Sequence, residues 1–178
     1  MALICIGSVC FSLLHVGAII LFILNYFYAH FKKYLPEFLT GGQEKGKQIE
    51  EALKCRQKNK DYSEGTYIDL EDGKKLSDVL NSTQNISAVV KFGATWCKPC
   101  NKIRRYFKNQ IITYAVTLID VDVDIHETLR DEHNIKVLPT LLFYVQIKNK
   151  WVLTERIEGS NQADIEKAFQ KYSVLKES

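Results

Sequence analysis

Two cysteines, Cys97 and Cys100, are separated by two residues where a predicted strand passes into a predicted helix. The apolar run at residues 88–94 predicts the strand, and residues 101–109 predict the helix. This spacing places one sulfur at the exposed first turn of the helix and the other about one turn further along, close enough to form a small disulfide. The pair therefore predicts thiol–disulfide exchange.

The two sulfurs are expected to have different roles. Unpaired N–H groups and the dipole at a helix N-terminus favour negative charge, so they stabilise Cys97 as a thiolate and make it the nucleophile. Cys100, deeper in the helix, would attack the mixed disulfide that Cys97 forms with a substrate, which releases reduced substrate and leaves the two cysteines joined. Pro99 fits the first helical turn, where its missing N–H is no loss.

Three stretches, in this order along the chain, resemble the thioredoxin family. They are residues 92–100 (FGATWCKPC), residues 137–143 (VLPTLLF) and Gly159 after a short strand. The resemblance covers residues 65–176 and implies an α/β thioredoxin fold, in which helices flank a central mixed β-sheet. It also implies an enzyme, a thiol–disulfide oxidoreductase that reduces or exchanges protein disulfides through the two cysteines.

The pattern of apolar residues predicts elements in the order β-α-β-α-β-α-β-β-α, which is the order that the family fold requires. The crossover between residues 88 and 120 implies parallel central strands. The predicted strands cover residues 66–68, 88–94, 114–121, 140–145 and 151–157, and the predicted helices cover residues 75–80, 101–109, 128–134 and 162–172.

The resemblance assigns Pro139 to the substrate-binding side of the site. In the family this proline follows a cis peptide bond and faces the active-site cysteines, and the backbone beside it, here Leu138 to Thr140, pairs with an extended substrate segment. A cis peptide bond before proline costs free energy, so it is expected only where the fold requires it. A strand edge beside a reactive thiol can pair with an added client strand. The alternative is a proline that merely starts an edge strand. Trp96 is expected to form an apolar partner surface with Leu138 and Gly159, or else only to pack.

Two positions depart from the family pattern. Lys98 replaces the usual glycine; its cation should favour the Cys97 thiolate and make the disulfide a somewhat stronger oxidant, unless solvent screens it. Lys91 replaces a buried aspartate thought to relay a proton for the resolving cysteine, and the family's neighbouring lysine is here Asp120. We expect a charge-swapped Lys91–Asp120 pair beneath Cys100, because an unpaired buried lysine is strongly disfavoured. The alternative is an ammonium that reaches solvent. The substitution predicts slower resolution of the mixed disulfide than in relatives with the aspartate.

The N-terminal segment predicts one transmembrane helix. Residues 3–27 contain no Asp, Glu, Lys or Arg, and about 20 such residues suffice to cross a bilayer. A cleaved signal peptide is the alternative, but no positive charge precedes the run and no good cleavage site follows it. The predicted organisation is a transmembrane anchor at residues 1–30 that contacts the membrane through residues 3–28, a charged juxtamembrane linker at residues 31–64, and a thioredoxin domain at residues 65–178.

Charge indicates the orientation of this anchor. Lysine and arginine follow the apolar run, and only the amino terminus precedes it. The positive-inside rule then predicts a single-pass membrane protein whose thioredoxin domain faces the cytosol. Two glycosylation sequons, at Asn81 and Asn85, would be acceptors if the domain instead faced the endoplasmic reticulum or another secretory lumen, although sequons also arise by chance in such loops.

The expected partners are protein disulfide substrates and a flavin-dependent thioredoxin reductase as electron donor. The net charge of +3 and the lack of a nucleic-acid motif argue against a nucleic-acid partner. No cofactor and no metal site is predicted, because the histidines match no ligand spacing. Cys55 is expected to be a spectator thiol. Two other functions stay open: a luminal protein disulfide oxidase or isomerase, and a module that binds clients with little turnover.

Overall fold

The computed structural model describes residues 3–6, 9–12, 20–26, 41–59 and 63–176. The chain divides into two compact units, Met1–Lys45 and Gly46–Ser178. In the first unit, strands β1 (Leu3–Ile6) and β2 (Val9–Ser12) pair in an antiparallel ladder, and residues 20–26 are helical.

The transmembrane helix expected over residues 3–27 is not found in the described part of this segment. Residues 3–6 and 9–12 are strands, residues 20–26 are helical, and the other positions lie outside the described residues. No helix among the described residues is long and apolar enough to cross a membrane. The strands are rich in β-branched and aromatic residues, and an apolar run alone does not distinguish a strand from a helix.

A mixed sheet forms the centre of the second unit. The strands of this unit are β3 (Thr66–Asp69), β4 (Ser87–Gly93), β5 (Tyr114–Ala115), β6 (Thr117–Asp122), β7 (Thr140–Ile147), β8 (Lys150–Glu158) and β9 (Val174–Leu175). The five-stranded sheet has the order β3-β6-β4-β7-β8, and β5 pairs separately with β9. Strands β3, β6 and β4 are parallel, whereas β7 and β8 are antiparallel to their neighbours. The parallel crossover predicted from the sequence is therefore confirmed.

Helices lie on both faces of this sheet. They are α1 (Gly41–Asn59), α2 (Leu76–Ser82), α3 (Lys98–Thr113), α4 (Glu127–Glu132) and α5 (Gln162–Tyr172). Helix α3 is longer than predicted because Cys97 caps it at its start and the helix continues until Tyr114 enters β5. Residues 114–121 were expected to form one strand, but β5 pairs with β9 while β6 pairs with β3 and β4, so the strand divides at Val116.

Strand β4 carries the site and is buried along its whole length, as expected for a central strand covered on both faces. Val90 and Phe92 belong to a core layer that also contains the two paired cysteines. Val89 faces the other layer, where it packs with Phe107 of α3 and Phe169 of α5. The end of β4 is therefore held rigidly where the cysteines follow.

Helix α1 lies within the segment predicted to be a charged juxtamembrane linker. From Gly46 onward it is part of the second unit. Its Ile49 is 9% exposed, and its half-buried Leu53 packs against the same core layer. Gln57 Nε2 donates a hydrogen bond to the Leu175 carbonyl at 2.9 Å. Two apolar residues four positions apart share one helix face, so even this charge-dense sequence contributes to the core.

Gly65, directly before β3, packs closely against helix α3. A Cβ atom at this position would lie 2.6 Å from the Ile111 carbonyl oxygen of α3, which is too close for any side chain. Asn85 holds the same part of the chain, because its Nδ2 donates to the Glu64 carbonyl at 3.2 Å and its Oδ1 accepts from the Ser63 hydroxyl at 2.9 Å. The start of β3 is thus fastened to α3 and to the segment before β4.

Candidate active site

The turn between β4 and α3 places Cys97 at the N-terminus of the helix. Cys97 is the N-cap, with an extended backbone, and its Sγ accepts a hydrogen bond from the Cys100 N–H at 3.2 Å. Pro99 lies in the first turn, which contains no acidic residue. A direct N–H donor and the helix N-terminus therefore both act on the Cys97 sulfur, and both would stabilise negative charge there.

Cys97 and Cys100 form a disulfide in this structure. Their sulfurs are 2.08 Å apart and their Cα atoms 5.3 Å apart. Cys97 is 4% exposed and lines an open cleft. Cys100 is 0% exposed and does not line it. A client disulfide approaching through the cleft would therefore meet Cys97 first.

The cleft beside Cys97 has a volume of about 590 Å³. Four parts of the chain form it: the active-site turn, the connection from β6 to α4, helix α4 itself, and the segment before β7. Its lining includes Trp96, Lys98, Asp124, Arg130, Lys136 and Leu138. Trp96, Lys98 and Leu138 were predicted from the sequence. The charged residues of the other three parts were not, because they carry no motif and only the fold brings them to the cysteines.

Trp96 is a large exposed aromatic residue at this cleft. Its side chain is 66% exposed, and its Nε1–H donates a hydrogen bond to Asp124 Oδ2 at 2.8 Å. The Asp124 N–H in turn donates to Asp122 Oδ1 at 3.0 Å. An exposed indole held in one orientation presents a preformed apolar surface to a partner.

Pro139 follows a cis peptide bond after Leu138, as the family resemblance implied. The Pro139 carbonyl accepts a hydrogen bond from the Gly159 N–H at 2.7 Å, and Gly159 adopts φ +96°, a conformation that favours glycine. The Thr140 hydroxyl donates to the Val137 carbonyl at 2.7 Å. Among the described residues, none forms a hydrogen bond with the N–H or the carbonyl of Leu138. That backbone unit is thus available to an extended client segment.

Lys91 and Asp120 form an ion pair below the cysteines. The two residues are direct neighbours in the β4–β6 ladder, and Lys91 Nζ lies 2.5 Å from Asp120 Oδ1. The Lys91 side chain is 1% exposed and that of Asp120 is 15% exposed. The expected charge-swapped pair is therefore confirmed, and the Lys91 ammonium does not reach solvent.

The Tyr67 hydroxyl extends this pair into a polar network. It lies 2.9 Å from Asp120 Oδ2 and 2.7 Å from Asp69 Oδ1. Burial, followed by the hydrogen bond to Asp69 and the charge of Asp120, raises the pKa of Tyr67, so the phenol stays protonated. Neither Tyr67 nor Asp69 was predicted as part of the site. The sequence shows only that the two residues are two positions apart and so share one face of β3, the strand that pairs with the strand of Asp120.

The thioredoxin family model, described as Thioredoxin, matches residues 70–171. Thioredoxin 3 of Plasmodium falciparum (isolate 3D7) is 57% identical to the chain over 178 residues, which cover 99% of each protein. The chain belongs to the thioredoxin family. Homologues in this family are thiol–disulfide oxidoreductases that reduce protein disulfides, and this thioredoxin-type oxidoreductase carries its redox pair at Cys97 and Cys100.

Solved structures of thioredoxins resemble the second unit in fold. A crystal structure of a Plasmodium falciparum thioredoxin is 58% identical, with a TM-score of 0.61, and the match covers 64% of this chain and 93% of that one. The reduced thioredoxin pre-protein of Schistosoma mansoni is 30% identical, with a TM-score of 0.53, and the match covers 60% of this chain and 98% of that one. Both likenesses support the thioredoxin fold of this chain.

Proposed function

We propose that this thioredoxin reduces or exchanges disulfides of client proteins in two steps at Cys97 and Cys100. In the first step, the Cys97 thiolate attacks one sulfur of a client disulfide, the client S–S bond breaks, and the leaving thiolate takes a proton from solvent. In the second, the Cys100 thiolate attacks Cys97 Sγ, the mixed disulfide breaks, and the second client thiolate leaves. Two electrons have then passed to the client, and the enzyme holds its own disulfide.

The observation that carries this proposal is the unequal access to the two sulfurs. Cys97 opens onto the cleft, whereas Cys100 is fully enclosed. An intermolecular attack therefore requires Cys97, and Cys100 reacts only with a sulfur already attached to its neighbour. The Leu138 backbone, which forms no hydrogen bond with any described residue, and the indole of Trp96, which Asp124 holds, supply a surface on which a client segment would lie.

Insulin reduction by the full chain tests the two-step reaction. The wild-type protein with dithiothreitol should reduce insulin disulfides. Cys100→Ser should lose turnover by at least about a hundredfold while forming stable mixed disulfides, because the second step lacks its nucleophile. Cys97→Ser should do neither, and Cys55→Ser should behave as wild type.

Two results would contradict this mechanism. Mixed disulfides with Cys100→Ser, combined with no wild-type turnover, would support a client-binding module instead of an enzyme. Equal turnover by Cys97→Ser and wild type would place the reacting sulfur elsewhere.

A flavin-dependent thioredoxin reductase is the proposed electron donor. The family relationship supports a reductase partner in general, and the exposed surface around Trp96 and Lys98 leaves room for one. With NADPH and such a reductase replacing dithiothreitol, insulin reduction should proceed with matching NADPH consumption. Reduction by dithiothreitol or glutathione but never by the reductase would exclude this donor.

We also propose that the N-terminal segment tethers the enzyme to a membrane, with the thioredoxin unit facing the cytosol. Support comes from the sequence, since residues 3–27 carry no Asp, Glu, Lys or Arg and lysine follows them. The full chain should stay with membranes after alkaline carbonate extraction. Replacing Leu13 and Leu14 by lysine should release it. Extraction of the wild-type chain into the soluble fraction would contradict the tether.

A further inference from the structure

We propose that Lys91 is a positioning residue that holds the resolving Cys100 as a thiolate once the pair is reduced. The inference deepens the proposed function, because it concerns the nucleophile of the second exchange step. It stands on the location of the Lys91 ammonium, on its unused hydrogen-bond donors and on the exclusion of water around it.

Lys91 and Cys100 border the same small space above Gly93. A Cβ atom added at Gly93 would lie 3.4 Å from Lys91 Nζ and 3.5 Å from Cys100 Sγ. The ammonium and the sulfur are therefore no further apart than the sum of these two distances, with no side chain at residue 93 between them. A cation so close to a thiol favours the charged form of that thiol.

The Lys91 ammonium has donors left for the sulfur. An ammonium carries three N–H donors, and among the described residues the hydrogen-bond partner of Lys91 Nζ is Asp120. On another side, Nζ lies 5.8 Å from the centre of the Phe107 ring, which accepts no ordinary hydrogen bond. With its side chain 1% exposed, Lys91 also lacks the bulk water that would satisfy the remaining donors. A Cys100 thiolate is the acceptor that this arrangement lacks.

Other charges near the pair lie further toward solvent. The titratable and charged groups that face Lys91 and Cys100 from the adjoining elements are Tyr67 and Asp69 of β3, Asp120 and Asp122 of β6, Arg104 and Lys108 of α3, and Cys97 at its N-cap. Lys108 is exposed, and its Nζ lies 4.0 Å from the centre of the Tyr67 ring rather than against the sulfur. Among these groups, Lys91 is the cation enclosed with Cys100.

This location changes the kinetic expectation drawn from the sequence. A lysine that cannot accept a proton was expected to slow the second step. A thiolate already formed beside the ammonium needs no base, because its proton has passed to solvent before the client arrives. The same contact favours the reduced state of the enzyme over its disulfide, which makes the disulfide a stronger oxidant.

Titration of Cys100 in the reduced full chain tests the inference directly. Cysteine labelled with ¹³C at Cβ reports the thiol and thiolate forms by NMR, and comparison with Cys100→Ser assigns the signal. In Lys91→Met the pKa of Cys100 should rise by about one unit or more relative to wild type. The exchange variant Lys91→Asp with Asp120→Lys should also raise it, because the cation moves to the neighbouring strand while the pair is kept.

The matched control is Lys108→Met, which removes a screened cation of the same pocket and should leave the Cys100 titration unchanged. At a pH below the pKa of Cys100, a rise of about one unit corresponds to a tenfold loss of thiolate. At a pH above the pKa, the glutathione equilibrium should shift toward the disulfide by up to about tenfold. If Lys91→Met fails to fold, the exchange variant decides. If the folded Lys91 variants have the same Cys100 pKa as wild type, the inference is overturned.

This test is separate from that of the proposed function. The titration needs no client and no reductase. A wild-type protein that titrates as expected but reduces no insulin would leave the Lys91 contact standing and remove the proposed reaction. Insulin reduction by wild type, combined with no change in the Cys100 pKa in the Lys91 variants, would leave the proposed reaction standing and remove the Lys91 inference.

Discussion

Lys98 lies between the two cysteines at the start of α3, exposed to solvent. Thioredoxins usually have glycine there, so both the charge and the side chain are unusual. Lys98 directly follows Cys97 in the chain and lies at the helix N-terminus, which is the positive end of the helix dipole. A cation there should add to the stabilisation of the Cys97 thiolate, but water screens it.

Lys98→Gln removes this charge and keeps a helix-forming side chain. We expect the disulfide to become harder to reduce, by about threefold in the equilibrium with glutathione, because an exposed charge interaction contributes less than about 1 kcal/mol. Lys102→Gln, on the next turn, is the control and should shift the equilibrium less. Equal shifts in the two variants would show that net charge, and not the place of Lys98, is responsible.

His133 gives stability a dependence on pH. Its ring centre lies 5.6 Å from that of Phe92. Burial lowers its pKa in the folded protein, opposed by the charge of Glu132 and aided by that of Arg156. The unfolded chain therefore binds a proton more readily, so stability should fall as pH decreases through the unfolded value of about 6.5 and level off below the folded value. In urea unfolding at about pH 7.5 and pH 5.5, the loss should be smaller in His133→Gln. An equal loss in both proteins would assign the dependence to other groups.

Residue types and spacing were enough to predict the reactive part of the site. The Cys97–Cys100 pair follows from a short motif, and the Lys91–Asp120 pair follows from aligning two strands of a known fold. The contact of Asp124 with Trp96 could not be predicted, because the two residues are distant in sequence and no pattern links them. Side chains that meet across loops depend on loop conformation, which local sequence does not determine.

At the scale of elements, α1 shows how a polar sequence joins a core. Its charged residues predict a solvated helix, yet Ile49 and Leu53 pack on the layer formed by α3 and α5. A helix with few apolar residues is stabilised by tertiary packing rather than by its own propensity. The strands and helices with strong periodicity were predicted to within a few residues, whereas this helix and the β5–β9 pair depend on partners far along the chain.

Ile49→Ala tests whether α1 stabilises the thioredoxin unit. We expect the unfolding free energy to fall by about 2 kcal/mol, the low end for a buried isoleucine, because the residue is still 9% exposed. Ile112→Ala, at a position that is 72% exposed on α3, should change it by less than about 0.5 kcal/mol. Denaturant unfolding of the full chain measures both. A loss no larger for Ile49→Ala than for Ile112→Ala would mean that α1 contributes nothing.

At the scale of the whole molecule, the fold exposes one of the two glycosylation sequons and buries the other. Asn81 is exposed on α2, whereas Asn85 is 2% exposed. Asn85 Nδ2 already donates to Glu64 and to Thr117 Oγ1. A glycan on Asn85 would therefore prevent the native packing of the segment before β4, so only Asn81 can report on the compartment of a folded domain.

Expression of the full chain in cells that glycosylate secretory proteins tests its orientation. With the domain in the cytosol, as proposed, endoglycosidase should leave its mobility unchanged. A domain in the lumen would show a glycan that disappears in Asn81→Gln and persists in Asn85→Gln. Observation of that pattern would reverse the proposed orientation.

The close packing at Gly65 offers a way to change the amount of enzyme in a cell without changing the activity of each molecule. Any side chain there pushes on the α3 backbone, so Gly65→Ala should lower stability without touching a sulfur or the cleft. In cells, a loss of one or two kcal/mol reduces abundance several-fold through quality control. A strain carrying this allele would hold fewer copies of an enzyme whose individual molecules still work at full speed, which is what a geneticist needs to learn how much of it a cell requires.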